Sequence, residues 1–354
     1  MKRKLVLQNG MEFIGHGFGS FKETIAELVF NTSVVGYQEI LSDPTYYGQM
    51  LCMTYTLIGN YGMIDEDYDS KVIGPKALVV REYNDKPSNF RYTKTLNEVL
   101  EENDVVGITH VDTRQLTRVL REQGSMLAII CDLDVTTEEA LAKINDYIAI
   151  EHPVSQVSCQ KIWYSRCPNP KYNVVTVDCG AAYNMIREWN HLGCNVTIVP
   201  YNTSYEKIMG MNPDGVVISM GPGSPENCKE VIELIQKIQG QKPILGFGLG
   251  CQLIALANGL SVEKLVHGHR GSSYPVRNTK TNKVEITSQN HSYVISSGND
   301  NVQVTYENVM DHTIEGIEVV DQKCFGVQFY PTNTLGVSHE CYQQFIEYMQ
   351  KGGN

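Results

Sequence analysis

The stretch PILGFGLGCQLIALANG, residues 243–259, decides the fold of the second half of the chain. It begins as a short apolar run typical of a buried strand, passes through Gly246, Gly248 and Gly250, and continues as an apolar segment long enough for a helix. A strand, a glycine-rich turn and a helix in this order predict one unit of a parallel sheet. Because ligands gather at the carboxyl ends of parallel strands, this turn is a candidate site.

Similar apolar, β-branched runs surround this stretch. Strands are predicted at 174–180, 195–201, 215–221 and 243–248, with helices at about 184–192, 205–211 and 227–239 between them. This alternation predicts a mainly parallel sheet flanked by helices. Further strands are predicted at 284–287, 302–306, 315–320 and 324–329, followed by a last helix at about 338–350.

The first half of the chain has a different pattern, rich in strands. Residues 3–14 alternate around Asn9-Gly10, which predicts a hairpin, and further strands are predicted at 27–30, 50–56, 77–81 and 126–131. Helices are expected at 112–123, after Asp112 as N-cap, and at 137–147. We therefore expect an α/β protein with a β-rich N-terminal domain at 1–150, a proline-containing linker at 151–172 and a parallel-sheet domain at 173–354.

Composition excludes several classes of function. The formal net charge of -11 argues against nucleic acid or an anionic membrane as partner. The ten cysteines form no CxxC pair, which favours reduced thiols over a disulfide framework or a zinc site. The basic residues at 2–4 are not followed by an apolar secretory core, and no apolar run approaches the ~20 residues that cross a bilayer. We expect a cytoplasmic protein whose partners are proteins or small molecules.

Two interpretations fit the turn at 246–250. A dinucleotide loop of the form GxGxxG would need glycine at 251, where Cys251 stands, and the GK[ST] of a P-loop is absent. The alternative is a nucleophile elbow, in which a strained residue between strand and helix exposes a reactive side chain. Gly248 stands at the apex of that elbow.

The sequence resembles the class I glutamine amidotransferases and, among them, the small chain of carbamoyl phosphate synthetase. The segments that carry the resemblance come from both halves of the chain, in the order of that family: VFNTSVVGYQEILSDPTYYGQ (29–49), IGNYG (58–62), DTRQLTRVLREQG (112–124), NPDGVVISMGPGSP (212–225), GLGCQLIALANG (248–259) and SQNHSYVI (288–295). The resemblance covers nearly the whole chain.

The resemblance implies a specific chemistry. An elbow cysteine attacks the side-chain amide of glutamine and releases ammonia through a thioester, helped by a histidine and a glutamate from an HPE segment. The N–H groups of Leu249 and Gly223 would hold the oxyanion. The glutamine contacts implied are Thr45, Gly221, Gly223, Leu249, Gln252, Asn290, Ser292 and Tyr293. The implied partner is the large synthetase chain, which would hold ATP and Mg²⁺, so no cofactor is expected in this chain.

This sequence departs from the family at the reacting groups. Gly248 replaces the elbow cysteine, and the HPE segment reads Tyr330-Pro331-Thr332, so Tyr330 replaces the histidine and Thr332 the glutamate. Ser292 and Tyr293 also stand where glycine and phenylalanine are usual. Glycine has no nucleophile, and a tyrosine with a pKa near ~10 is a poor base at neutral pH.

Three hypotheses for function follow. The first is a non-catalytic subunit that binds the large synthetase chain, serving arginine or pyrimidine synthesis. The second is an active glutaminase with a displaced nucleophile such as Cys251, three residues past the elbow. The third is a sensor that binds L-glutamine or another amino acid without hydrolysing it.

The histidines and one basic helix have weaker interpretations. His267 and His269 could suggest a metal pair, but no third ligand stands at suitable spacing and the resemblance implies a histidine-rich loop without metal, so no metal is expected. His291 and His312 could act as bases, although nothing in the sequence places either beside Gly248. The basic face of the helix at 112–123 is either solvated or part of a docking surface.

Overall fold

The computed structural model describes residues 1–296, 299–331 and 338–350, and the chain divides into two compact units, Met1–Ile150 and Glu151–Asn354. The elements of the first unit are β1 (Lys2–Leu7), β2 (Glu12–Gly19), β3 (Thr24–Asn31), α1 (Tyr37–Leu41), β4 (Gln49–Met53), β5 (Leu57–Ile58), β6 (Ala77–Val79), β7 (Glu82–Tyr83), α2 (Leu96–Glu102), β8 (Val106–Thr109), α3 (Thr113–Gln123), β9 (Met126–Asp132) and α4 (Thr137–Asn145).

Seven strands of the first unit close into a barrel in the order β1-β2-β8-β6-β4-β3-β9, and β9 pairs again with β1. The predicted hairpin is confirmed, since β1 pairs with β2 and Gly10 takes a φ of 85° in the turn between them. Alternate side chains such as Leu5, Leu28 and Ile130 belong to one fully buried core cluster.

Helix caps in the first unit follow the sequence signals. The Asp112 side chain accepts a hydrogen bond from the N–H of Gln115 and starts α3, and Thr136 starts α4 through a capping box. Helix α2 was not predicted, although Thr95 and Glu98 form the same box. Its seven residues are too few to show a clear helical period.

The second unit begins with the segment that was expected to be a linker. Its elements are α5 (Val154–Val157), β10 (Trp163–Ser165), β11 (Tyr172–Asp178), α6 (Tyr183–His191), β12 (Cys194–Pro200), α7 (Tyr205–Gly210), β13 (Gly215–Ile218), α8 (Lys229–Ile238), β14 (Ile244–Phe247), α9 (Leu249–Ala257), β15 (Val262–Asn278), β16 (Val284–Ile295), β17 (Val302–Asn308), β18 (Ile314–Val319), β19 (Cys324–Val327) and α10 (Glu340–Gln350). Residues 163–165 pair with β12, so part of the expected linker is a strand of this unit.

The strands of the second unit form one sheet in the order β10-β12-β11-β13-β14-β19-β18-β16-β15-β17. Strands β12, β11, β13, β14 and β19 are parallel neighbours, as the βα alternation predicts. From β18 onward the pairing is antiparallel, and the 17-residue β15, which was not predicted, pairs with β16 across two irregularities.

Helices cover both faces of the parallel strands. One buried cluster joins the strands to α8 and α9 through residues such as Val231 and Ile254, and a second joins them to α6 and α10 through Trp189 and Phe345. Burial on both faces explains why these strands read as continuous apolar runs. None of the helices in the described ranges combines the length and hydropathy needed to cross a lipid bilayer.

Candidate functional site

The predicted elbow lies between β14 and α9. Gly248 has φ 51° and ψ -111°, a backbone conformation that strains any residue with a side chain. Its N–H donates to the carbonyl of Val327 at 2.9 Å, and its carbonyl accepts from the N–H of Cys251 at 3.0 Å and of Gln252 at 3.2 Å. Hydrogen bonds therefore fix both the N–H and the carbonyl of Gly248, although this residue has no side chain.

Met220 lies beside the apex of the elbow. A Cβ built on Gly248 would be 3.3 Å from the Cβ of Met220, which is tight but not prohibitive. Met220 is 4% exposed and belongs to an apolar cluster with Phe247 and Phe329, against which Tyr330 packs. The surroundings of the elbow are thus apolar.

Cys251 is oriented away from the elbow. Its side chain is fully buried, and a Cβ built on Gly326 of β19 would be 2.9 Å from the Cβ of Cys251. Burial first, and then the nearby negative charge of Glu315, raises the pKa of the Cys251 thiol well above its usual range. This thiol faces the sheet and is held protonated.

The glycine loop after β13 contacts the start of α9. A Cβ on Gly221 would lie 2.9 Å from Cδ2 of Leu249 and only 2.3 Å from the carbonyl oxygen of Cys179. Gly223 has a φ of 90°, and a Cβ there would meet Cγ of Pro153 at 2.4 Å. The loop is therefore packed closely on both sides. The N–H of Leu249 is one of the first amides of α9, which have no acceptor within the helix.

Gln252 is part of a buried amide network. Its Nε2 donates to the carbonyl of Tyr293 at 2.9 Å and to Oε1 of Gln328 at 2.8 Å. Gln252 is 3% exposed and Gln328 is 1% exposed. These contacts connect α9 with β16 and with the chain after β19.

Strand β16 presents alternate faces. Asn290 and Ser292 are half-buried on one face, while Gln289 and His291 are buried on the other. Asn290 lies opposite Arg270 of β15, and the guanidinium of Arg270 donates to the hydroxyl of Ser292 and to the carbonyl of His267.

The remaining expected site residues lie as follows. The N–H of Tyr330 donates to the carbonyl of Ser288 at 2.9 Å, so the backbone of Tyr330 lies beside β16. Thr45 belongs to the first unit, in a short 3₁₀ turn at Pro44–Tyr46, where its hydroxyl donates to Asp43 at 2.6 Å. Thr332 lies outside the described residues.

The histidines separate into buried and exposed groups. His269 and His291 are buried with ring centroids 5.0 Å apart, next to the buried Glu315. His312 is exposed and its Nδ1 lies 2.6 Å from a carboxylate oxygen of Glu307.

Met220, Pro153 and Gln328 contribute to the site but were not identified from the sequence. Met220 directly precedes the GPG turn, which is the one local signal that could have identified it. Pro153 and Gln328 reach the site only through the fold, since each is far along the chain from the residue it contacts.

Comparison with known proteins agrees with this architecture. Residues 175–348 match the family described as glutamine amidotransferase class-I, and residues 5–130 match carbamoyl-phosphate synthase small chain, CPSase domain. The second unit is therefore a class I glutamine amidotransferase domain.

Curated relatives match along the whole chain. The carbamoyl phosphate synthase small chain of Bacillus caldolyticus is 42% identical over 364 aligned residues, which cover 99% of each chain. The pyrimidine-specific small chain of Halalkalibacterium halodurans is 41% identical, over 99% of this chain and 98% of that one. The chain belongs to the carbamoyl phosphate synthase small chain family. A solved glutamine amidotransferase of Thermotoga maritima is 18% identical, with a TM-score of 0.37, and covers 51% of this chain and 83% of that one.

Proposed function

We propose that this chain is a small subunit of carbamoyl phosphate synthase that does not hydrolyse glutamine and acts by assembling with the large subunit. The observation that carries the proposal is Gly248, which occupies the strained apex of the elbow without a side chain to act as nucleophile. Loss of a complete triad costs a hydrolase roughly 10⁶ in rate, so binding and oxyanion donors alone would leave little activity.

Tyr330, which stands where the family has the basic histidine, also argues against glutamine hydrolysis. A phenol has a pKa of about 10 and is protonated at neutral pH, so it cannot accept a proton from a nucleophile. Tyr330 packs against the apolar cluster that contains Met220 and Phe329.

Cys251 is a poor replacement nucleophile. Its side chain is fully buried toward β19, and burial raises the pKa of the thiol. A thiol attacks as the thiolate, so a buried, protonated cysteine is inert. The displaced-nucleophile hypothesis is therefore disfavoured.

The glutamine-sensor hypothesis has partial support. The glycine loop and the start of α9 remain in contact, and both are parts of the glutamine site that the resemblance implies. However, the Nε2 donors of Gln252 already bond Tyr293 and Gln328, and the hydroxyl of Ser292 already accepts from Arg270. A ligand would have to compete with these internal hydrogen bonds. We therefore favour assembly with the large subunit over glutamine sensing as the function of the chain.

The proposed partner is the large subunit, which would hold ATP and Mg²⁺ and would use free ammonia. This chain itself needs no cofactor in that arrangement. The pyrimidine-specific name of the relative from Halalkalibacterium halodurans supports pyrimidine synthesis as the destination of the product. The complex would lie in the cytoplasm, where the ten cysteines stay reduced.

Reconstitution with the large chain of the same organism tests the proposal. We expect the two chains to co-elute in gel filtration at micromolar concentration and to form carbamoyl phosphate from ammonia but not from glutamine. The matched control is the same large chain with the Bacillus caldolyticus small chain. Separate elution would contradict assembly, and glutamine-dependent synthesis would contradict the loss of glutaminase activity.

A further inference from the structure

Three neighbouring strands of the second unit bring His269, His291 and Glu315 together. His269 on β15 lies directly opposite His291 on β16, and β18, which carries Glu315, is the other neighbour of β16. Their side chains share the buried face of the sheet, with Glu315 0% exposed. One nitrogen from each histidine and a carboxylate oxygen lie within 4.8 Å of one another.

The outer ring nitrogens of both histidines are bonded to oxygen acceptors. Nδ1 of His291 lies 3.0 Å from the carbonyl oxygen of Tyr293, so this nitrogen carries the proton. Nε2 of His269 lies 2.7 Å from a carboxylate oxygen of Asp311 and likewise donates. In a neutral imidazole the second ring nitrogen then carries a lone pair and no proton. Nδ1 of His269 and Nε2 of His291 both face oxygen acceptors, namely the Glu315 carboxylate and, for His291, also Oε1 of Gln289.

This orientation is the one that metal-binding histidines adopt. A ligating histidine normally donates its second N–H to a carboxylate or a backbone carbonyl, and here Asp311 and Tyr293 supply one of each. Two neutral rings would point nitrogen lone pairs at the oxygens of Glu315 and Gln289, which is unfavourable, so the cluster needs added positive charge, either as ring protons or as a metal ion.

The distance from His291 favours a metal ion over a ring proton, whereas the distance from His269 suits either. Nδ1 of His269 is 3.2 Å from Oε1 of Glu315, and Nε2 of His291 is 3.6 Å from Oε2. Ligand atoms at about 2.0–2.1 Å from a tetrahedral zinc ion lie roughly 3.3 Å apart, so the three ligand atoms, which lie within 4.8 Å of one another, would move closer together on binding. A distance of 3.6 Å is long for a hydrogen bond, and no hydrogen-bond donor in the described part of the chain reaches Oε2 of Glu315.

We infer that His269, His291 and Glu315 form a structural binding site for a divalent metal ion of the zinc type. Oε1 of Gln289, which is 2% exposed and 3.2 Å from Nε2 of His291, would supply the fourth ligand of a set of two nitrogens and two oxygens. Imidazole and carboxylate ligands suit zinc, and four protein ligands in a buried position indicate a structural ion.

The sequence alone offered His267 and His269 as a pair with no third ligand, and no metal was expected. The fold replaces His267 by His291 and adds Glu315, 46 positions from His269. Such a site would stiffen β16, whose other face carries Asn290 and Ser292.

Zinc binding by the purified chain tests the inference. After removal of metals with a chelator, we expect the chain to take up one zinc ion, measured by mass spectrometry of the metal after gel filtration, and to unfold at a higher temperature with zinc than with magnesium. Cobalt should give the intense absorption of a tetrahedral site. A wild-type chain that retains no zinc, and whose unfolding temperature does not move, overturns the inference.

Substitutions test which residues bind the zinc ion. Asp311→Asn should weaken zinc binding about 10- to 100-fold, because Asp311 only orients His269, and His291→Gln and Glu315→Gln should weaken it more. The control is His191→Gln, which removes an exposed histidine at the end of α6 and should leave zinc binding unchanged. Equal zinc binding by wild type and by a folded His291→Gln chain overturns the assignment, as does an equal loss in His191→Gln. If His291→Gln fails to fold, the wild-type titration and Asp311→Asn decide the question.

Discussion

Gln252 and Gln328 are hydrogen-bonded to each other inside the second unit, with 2.8 Å between Nε2 of the first and Oε1 of the second. They are 76 positions apart in the chain, and each is almost fully buried. The same Nε2 also donates to the carbonyl of Tyr293. The residue expected to bind substrate is thus a structural connection between α9 and the antiparallel part of the sheet.

Gln252→Leu should lower the free energy of unfolding by about 1–3 kcal/mol, because it leaves buried acceptors on Tyr293 and Gln328 without this donor. Urea unfolding followed by circular dichroism measures the change. The control is Gln236→Leu, since Gln236 donates to the carbonyl of Ala257 in an exposed position and should change stability by no more than about 0.5 kcal/mol. Equal effects of the two variants would show that the buried network contributes nothing.

Gly223→Ala should destabilise the second unit more than Gly259→Ala does. Both glycines have positive φ, 90° and 78°, but a Cβ meets Pro153 at 2.4 Å in the first case and nothing within 4 Å in the second. Each should lose about 1–2 kcal/mol for the backbone conformation, and Gly223→Ala about 1–3 kcal/mol more for the clash. Adding Pro153→Ala to Gly223→Ala should recover part of that extra loss. No recovery would mean that the loop does not pack against Pro153.

Restoring the triad should restore glutamine hydrolysis only when all its members return. Gly248→Cys combined with Tyr330→His and Thr332→Glu should release measurable ammonia from glutamine, whereas Gly248→Cys alone should not, because a thiol without its base stays protonated. Adding Met220→Ala to the triple variant should increase the rate, since the new Cβ lies 3.3 Å from that of Met220.

The cost of this repair is measurable as well. Gly248→Cys and its control Gly248→Ala should each lower the free energy of unfolding by about 1–3 kcal/mol, because a side chain is introduced at φ 51° and ψ -111°. Glutamine hydrolysis by the natural chain, abolished by Cys251→Ala, would instead establish the displaced nucleophile.

Thiol alkylation should follow burial. At pH 8 Cys167, which is half-buried, should react first, and Cys159 should react slowly because burial and the nearby Asp178 raise the pKa of its thiol to about 12. Cys251 should stay unmodified until the chain unfolds. Raising the pH should accelerate Cys159 well above pH 9, since its thiolate forms only there. Mass spectrometry of digested samples measures each rate, and early modification of Cys251 would contradict its buried position.

Local sequence signals predicted much of the fold for physical reasons. Runs such as 215–221 are β-branched and apolar because both faces of their strands are covered, and this pattern needs no knowledge of the partner strands. The side chains of Asp112 and Thr136 cap helices by accepting hydrogen bonds from N–H groups three residues later in the chain. Because both partners lie within one helical turn, a short stretch of sequence is enough to predict the cap. The elbow at Gly248 could be located in the same way, from its position between a strand and a helix.

Other features depend on contacts between distant residues and could not be predicted. Strand β15 is polar over much of its length and has two irregularities in its pairing with β16. Its sequence therefore lacks the regular alternation of polar and apolar residues that would predict a strand. The bond from Gln252 to Gln328 and the approach of Pro153 to Gly223 arise only from the order of strands in the sheet. The orientation of Cys251 toward Gly326 likewise required the fold.

Closure of the barrel in the first unit limits how that unit can recognise another chain. Because β9 pairs with both β1 and β3, the ring of seven strands presents no unpaired edge. A partner therefore cannot extend this barrel by adding a strand of its own, a mode of recognition that needs free backbone donors and acceptors. Recognition through the barrel must depend on the side chains of its surface loops and neighbouring helices, so single side-chain substitutions there should be able to weaken assembly without disturbing the barrel.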